Sequence, residues 1–241
     1  MPSRPSRFDP AQVQPAGVDR AATLRAVAEL AAVCSACERC ELARSRQQVV
    51  VGRGNPAARL LLIGEAPGAE EDAQGQPFVG RAGRLLEQLL AEAGLDSRRD
   101  LYIANVIKCR PPGNRKPSRT ELAACRPWLD QQLALMQPEL IVLLGATALE
   151  ALLGIKGGIT QLRGQWLQLD GSALPVDQLQ KEASHNNHSP GRLPSIMLMP
   201  LLHPSYLLRY PSEADGSPRW YTRDDLRTVR QHLDRLTLVT T

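Results

Sequence analysis

The sequence predicts an α/β fold: three layers, α/β/α, around a central, mostly parallel four-stranded sheet. Three observations carry this. Short apolar runs that end in glycine, such as Arg59–Gly64 (RLLLIG), have the length and near-continuous hydrophobicity of strands buried on both faces. Between such runs lie segments with leucines at helical spacing. The two kinds alternate, which implies parallel strands joined by crossover helices.

The elements follow in order. Residues 1 to about 20 are rich in Pro, Arg, Gln and Ala and lack apolar periodicity, so they are expected to form a disordered tail. Residues 21–241 are expected to form a single domain. Arg59–Gly64 is the first strand, and Ala82–Ala93 (AGRLLEQLLAEA) is a helix. Leu101–Val106 (LYIANV) is the second strand. Ser118 followed by Glu121 makes a capping box for the next helix, ELAACRPWLDQQLALM. A third strand starts at Glu139 (ELIVLLG) and runs into the helix ATALEALLG. Residues 170–195 are polar and broken by Pro and Gly, a long surface insertion that contains His185 and His188. Pro194–Leu202 is the fourth strand and Thr222–Leu238 the terminal helix.

Composition narrows the class. Of 241 residues, 43% are hydrophobic, which suits a globular core. No run of eighteen apolar residues is present, so no membrane partner is expected. The first twenty residues lack the apolar core of a secretory signal. A net charge of +4 is compatible with a polyanionic partner without demanding one. Nothing in the chain requires more than a monomer.

Five cysteines, Cys34, Cys37, Cys40, Cys109 and Cys125, are an odd number for a disulfide framework. They fit a reducing cytoplasm and a metal role. Cys37-x-x-Cys40 is a bidentate spacing, and Cys109 and Cys125 supply two further thiolates. One CxxC with two scattered cysteines leans toward a 4Fe–4S cluster over zinc. The plainer reading is buried structural thiols. Cys34 also forms CxxC with Cys37, so spacing alone leaves the register open.

In a parallel sheet the ligand sits beyond the carboxyl ends of the strands. Three post-strand loops should therefore be chemical. Gly64-Glu65-Ala66-Pro67-Gly68 follows the first strand. Asn105 ends the second, before Lys108-Cys109-Arg110-Pro111-Pro112. His203-Pro204-Ser205 follows the fourth. Phe78 is one of only two phenylalanines and lies in the glycine-flanked loop GQPFVGRAG, where stacking on a base competes with core packing. His203 can donate a hydrogen bond to a departing anion. Glu65 can orient water or face a developing cation, although a lone loop carboxylate is ordinarily just solvated. Lys108, Arg110, Arg115, Lys116, Arg163 and Arg209 can bind phosphates or serve solubility.

Read together, GEAPGAEED, GQPFVGRAG, YIANVIKCRPPGNRKP, PELIVLLGATA and HPSYLLR resemble the family 4, iron–sulfur uracil-DNA glycosylases. The resemblance covers roughly residues 34–169 and 194–239. It implies a uracil-DNA glycosylase of base excision repair, acting on uracil-containing DNA in the cytoplasm, on the nucleoid. It implies a structural 4Fe–4S cluster on Cys37, Cys40, Cys109 and Cys125, because Cys40 takes the second cysteine position when measured back from Val49–Asn55 (VVVGRGN). The catalytic pair is then Glu65 and His203. Phe78 stacks on the flipped uracil and Asn105 reads its polar edge. Gly64 belongs to the first motif, and Gly68 stands where better-known relatives place an aromatic gate. Glu71 crowds the 5-methyl of thymine, Ser205 holds a phosphate, and Leu207 takes a wedge position. A sister group reacts covalently through a His in a KRRIH-type loop after GEQPG. This chain has GEAPG, and Asn114-Arg115-Lys116 carries no such His.

Two other readings stand beside this one. The first is a non-catalytic iron–sulfur nucleic-acid-binding module of the same fold. The second is a zinc protein with a redox or regulatory role.

Overall fold

The computed structural model describes residues 19–169 and 195–238. The expected insertion at 170–195, with His185 and His188, lies almost wholly outside the described residues, as does the expected tail.

The helices and strands run in the order α1 (Arg20–Ser35), β1 (Arg53–Gly54), β2 (Leu60–Gly64), α2 (Ala69–Gln74), α3 (Arg81–Glu92), β3 (Leu101–Asn105), α4 (Arg119–Met136), β4 (Leu140–Leu144), α5 (Ala146–Leu153), α6 (Ile159–Leu162), β5 (Leu167–Leu169), β6 (Ile196–Leu201), α7 (Pro204–Arg209) and α8 (Pro218–Leu238). The sheet order is β1-β3-β2-β4-β6-β5. The four inner strands are parallel, as expected. Among the described residues the sheet nevertheless has six strands, not four, because β1 and β5 add antiparallel edges. Both are two or three residues long, too short for an alternation to show.

Each inner strand is buried throughout, and successive residues feed opposite layers. Leu61, Ile63, Ile141, Leu143 and Leu198 pack with Val27 and Leu30 of α1 and with Trp128, Leu129 and Leu133 of α4. Leu60, Leu62, Leu140, Val142 and Met199 pack with Leu85, Leu86 and Leu89 of α3 and with Leu226, Val229 and Leu233 of α8. Burying each such side chain stabilises the fold by about 1.5–3 kcal/mol. Ser118 caps α4 as expected: its Oγ accepts from Glu121 N at 3.2 Å, and Glu121 Oε2 accepts from Ser118 N at 2.8 Å.

The register sets the site. Gly64 lies opposite Asn105, and Leu144 opposite Leu201, so the carboxyl ends of β2, β3, β4 and β6 finish level. The loops beyond β2 and β3 are then joined by Val106 N to Gly64 O at 2.9 Å and Ile107 N to Glu65 O at 3.2 Å. Among the described residues no helix is long and apolar enough to cross a membrane.

Candidate active site

A cleft of about 370 Å³ opens at the level carboxyl ends of the strands. Glu65, Gly68, Glu71, Phe78, Asn105, His203 and Ser205 all line it. Of the sequence-predicted substrate residues, Gly64 and Leu207 are the two that do not.

Gly64 lies beneath the cleft. A Cβ there would come within 2.5 Å of Asn105 Oδ1 and 2.6 Å of Phe78 Cζ. The missing side chain lets these two groups approach each other. Phe78 itself has φ 55°, a left-handed backbone unusual for a bulky residue. Its loop is held from outside the cleft. Arg53 donates Nε to Pro77 O at 2.7 Å and Nη2 to Phe78 O at 3.3 Å. Nothing in the sequence flagged Arg53.

Glu71 ties the first loop to the Phe78 loop. Its Oε2 accepts from Gly68 N at 3.1 Å, and its Oε1 accepts from Val79 N at 3.0 Å and Gly80 N at 2.8 Å. Both oxygens are thus committed to backbone, and the carboxylate is fixed at the cleft wall. A side chain at Gly68 would meet that carboxylate at 2.7 Å.

Asn105, at the end of β3, is 1% exposed. Its Oδ1 is buried and, among the described residues, has no hydrogen-bond partner. A stranded acceptor costs about 1–3 kcal/mol, so it is a group waiting for a donor. His203, half-buried, lines the same cleft. Its Nδ1 accepts from Ser205 N at 3.1 Å and lies 2.8 Å from Ser205 Oγ. A peptide N–H can only donate, so the neutral ring carries its proton on Nε2. Burial, reinforced by Arg209, pushes the imidazole pKa down to about 4, against a smaller opposing pull from Glu71. Ser205, expected to hold a phosphate, spends its hydroxyl on the ring. Glu65 Oε2 accepts from Thr147 Oγ1, a partner in the first turn of α5.

Leu207, expected as a wedge, is 0% exposed and packs in the core against the α3–α8 layer. Pro204 starts α7 directly after His203, and the first turn rotates position 207 inward. Several expected phosphate ligands are also spoken for. Lys108 is 1% exposed, with Nζ donating to Asn105 O at 2.7 Å and Gln132 Oε1 at 2.6 Å. Arg115 forks onto Glu121, Lys116 pairs with Glu150, and Arg163 pairs with Asp225.

A second, smaller cavity lies on the α1–α4 side and is lined by all five cysteines, with Trp128, Ile107 and Val49. All are free thiols. Three of the sulfurs accept N–H donors: Cys37 from Trp128 Nε1 at 3.2 Å, Cys125 from Lys108 N at 3.2 Å, and Cys109 from Arg46 Nη1 at 3.7 Å. Such donors stabilise thiolate over thiol. Cys34 is fully buried, and desolvation pushes its thiol up to about 12. Among the described residues no three His, Cys, Asp or Glu side chains are gathered on one point to hold a single metal ion.

The family model for the uracil DNA glycosylase superfamily matches residues 51–228. The type-4 uracil-DNA glycosylase of Thermotoga maritima is 45% identical over 174 residues, 72% of this chain and 78% of that protein. The type-4 enzyme of Sulfurisphaera tokodaii is 43% identical over 54% of this chain and 60% of its own length. The type-4 enzyme of Pyrobaculum aerophilum is 45% identical over 50% of this chain and 61% of its own.

Proposed function

The chain belongs to the type-4 uracil-DNA glycosylases of the uracil DNA glycosylase superfamily, a hydrolase of N-glycosyl bonds in base excision repair, and from that premise we propose how its own residues do the work. The observation that carries the reading is the unpartnered Oδ1 of Asn105 in the same cleft as Phe78 and a neutral His203.

The base must leave the duplex to reach this cleft, at a cost of roughly a few kcal/mol. The flipped uracil stacks on Phe78. Asn105 Oδ1 accepts N3–H of uracil, and its Nδ2 donates to O4. Cytosine presents an acceptor at N3 and a donor at C4, the reverse pattern, so the same amide rejects it. The fixed carboxylate of Glu71 stands where a 5-methyl would crowd, which excludes thymine without an aromatic gate at Gly68.

As the C1′–N1 bond breaks, its electron pair stays on N1 and spreads to O2. His203 Nε2–H donates to O2 and stabilises that charge; because the ring is neutral, the proton is shared and not lost. The sugar becomes cation-like. Glu65 faces that charge and orients the water whose oxygen bonds C1′, and the water's proton leaves through the carboxylate to solvent. No covalent intermediate forms and the strand stays intact at an abasic site.

The cysteine cavity fits a 4Fe–4S cluster held by Cys37, Cys40, Cys109 and Cys125. The support is the donor set: four thiols lining one small cavity, with N–H donors on three of the four sulfurs. When bound, the cluster supplies a structural cross-link between the turn after α1, the loop after β3 and α4. That loop directly follows Asn105, so the link supports the base-reading end of the cleft. We place the enzyme in a reducing cytoplasm, acting as a monomer on nucleoid DNA.

Replacing Asn105 by Ala tests the carrying observation. Release of free uracil from a uracil-containing oligonucleotide should fall by at least about tenfold, the worth of roughly 1.4 kcal/mol. An unchanged rate would remove the base-reading role.

A further inference from the structure

Beyond the carboxyl end of β4, Gly145 and the first two residues of α5, Ala146 and Thr147, form a turn to which the mechanism above gives no task. This turn touches both groups that do the chemistry. Thr147 is 6% exposed, and its hydroxyl donates to Glu65 Oε2. Gly145 has φ 92° and ψ 173°, a region open essentially to glycine alone. A Cβ there would sit 2.9 Å from the Cβ of His203. The turn is pinned to the neighbouring strand by Gly145 N donating to Leu201 O at 2.9 Å, two residues before His203.

We infer that the β4–α5 turn is a positioning element of the active site, in which Thr147 orients the Glu65 carboxylate while Gly145 seats His203. The inference rests on the reading of Glu65 as the residue that serves the water. A carboxylate can rotate about its last bond and present either oxygen. A buried hydroxyl that engages Oε2 fixes that plane and leaves Oε1 for the cleft. Thr147 suits the task because its β-branch restricts χ1, so the hydroxyl is placed before substrate arrives. Misplacement of a reacting group by about 1 Å can cost 10²-fold in rate. The turn therefore acts on the chemical step and leaves base binding, which belongs to Phe78 and Asn105, untouched.

The test uses the purified, iron-loaded enzyme carrying Thr147→Val, Thr147→Ser, Glu65→Ala, or Thr147→Val with Glu65→Ala. Two quantities are read: the single-turnover excision rate at saturating uracil-DNA, and the Kd for an uncleavable 2′-fluoro-deoxyuridine duplex. Thr147→Val should slow excision by about tenfold or more with Kd unchanged within about twofold. Thr147→Ser should recover most of the rate because the donor returns. In the Glu65→Ala background, Thr147→Val should cost nothing further. Should Thr147→Val fail to fold, Thr147→Ala serves as the second variant without a hydroxyl. The positioning role is overturned if the hydroxyl-less variant keeps the wild-type rate, if Ser is as slow as Val, if Kd weakens in step with the rate, or if the loss persists undiminished without Glu65. A Glu65→Ala enzyme at the wild-type rate is a different failure, since it would remove the role of Glu65 itself.

Discussion

The ring of Phe78 lies 5.9 Å from the imidazole of His203, centroid to centroid, with the planes tilted by 37°. The two residues are 125 positions apart in the chain, and they meet because β2 and β6 end level on either side of β4. Both line the cleft, and in the proposed mechanism a flipped base uses one to stack on and the other as a hydrogen-bond donor. Phe78→Leu retains buried bulk but loses the aromatic face. Stacking is worth about 1–3 kcal/mol, so the Kd for uncleavable uracil-DNA should rise by about tenfold, with little change in melting temperature. An unchanged Kd, measured by fluorescence anisotropy, would show that Phe78 only packs.

His203 should titrate near pH 4 and not at the ordinary value of about 6.5. The ring should then be neutral, with its proton on Nε2, across the whole working range, and the excision rate should not show a His titration between pH 5 and 8. The linkage has a definite sign. The folded-state pKa is depressed, so between about pH 6.5 and 4 the unfolded chain binds the proton that the folded chain refuses. This residue's contribution is thus fully present above pH 6.5 and is lost as pH falls toward 4. Heteronuclear NMR of the imidazole gives both tautomer and midpoint; a midpoint near 6.5 would contradict the buried, neutral donor.

Leu207→Ala separates a core role from a wedge role. A fully buried leucine in the α3–α8 layer should cost about 2–5 kcal/mol of stability when truncated. The rate at low temperature, where the variant is folded, should change little. A variant that melts like wild type but no longer flips uracil would restore the wedge.

Much of this architecture is legible in the sequence because inner strands of a parallel sheet are buried on both faces and read as continuous apolar runs. What stays hidden has physical causes. Helix α1 buries Thr23, Val27, Leu30 and Cys34, a proper helical spacing, but alanines on every face blur the stripe. The edge strand β1 is the pair Arg53-Gly54, which reads as a loop. Three of the four chemical loops could be found from the rule that ligands bind beyond strand ends. The fourth, Gly145-Ala146-Thr147, looks like an ordinary helix start, and its tie to Glu65 spans 82 residues. Leu207 and Lys108 show the opposite limit. A motif gives a residue's place in the chain, but α7 turns Leu207 inward and the β3 loop buries Lys108.

The cysteine assignment makes a prediction about metal content. Cys34→Ala should keep the brown colour and absorbance at about 400 nm, because that thiol is a buried neighbour of the cluster. Replacing Cys37, Cys40, Cys109 or Cys125 by Ala should lower iron content and release the loop that follows Asn105. Loss of iron on replacing Cys34 alone, with Cys37 and Cys40 variants still loaded, would shift the ligand register to the earlier CxxC.

The most direct test of the central claim is single-turnover cleavage of a labelled oligonucleotide with one uracil, run beside a matched thymine control and a His203→Ala enzyme. The account predicts strand breaks only after alkali, only at uracil, and a rate lowered by about 10²–10³ in the variant. An iron-loaded enzyme that leaves uracil in place, or a His203→Ala enzyme as fast as wild type, would contradict it.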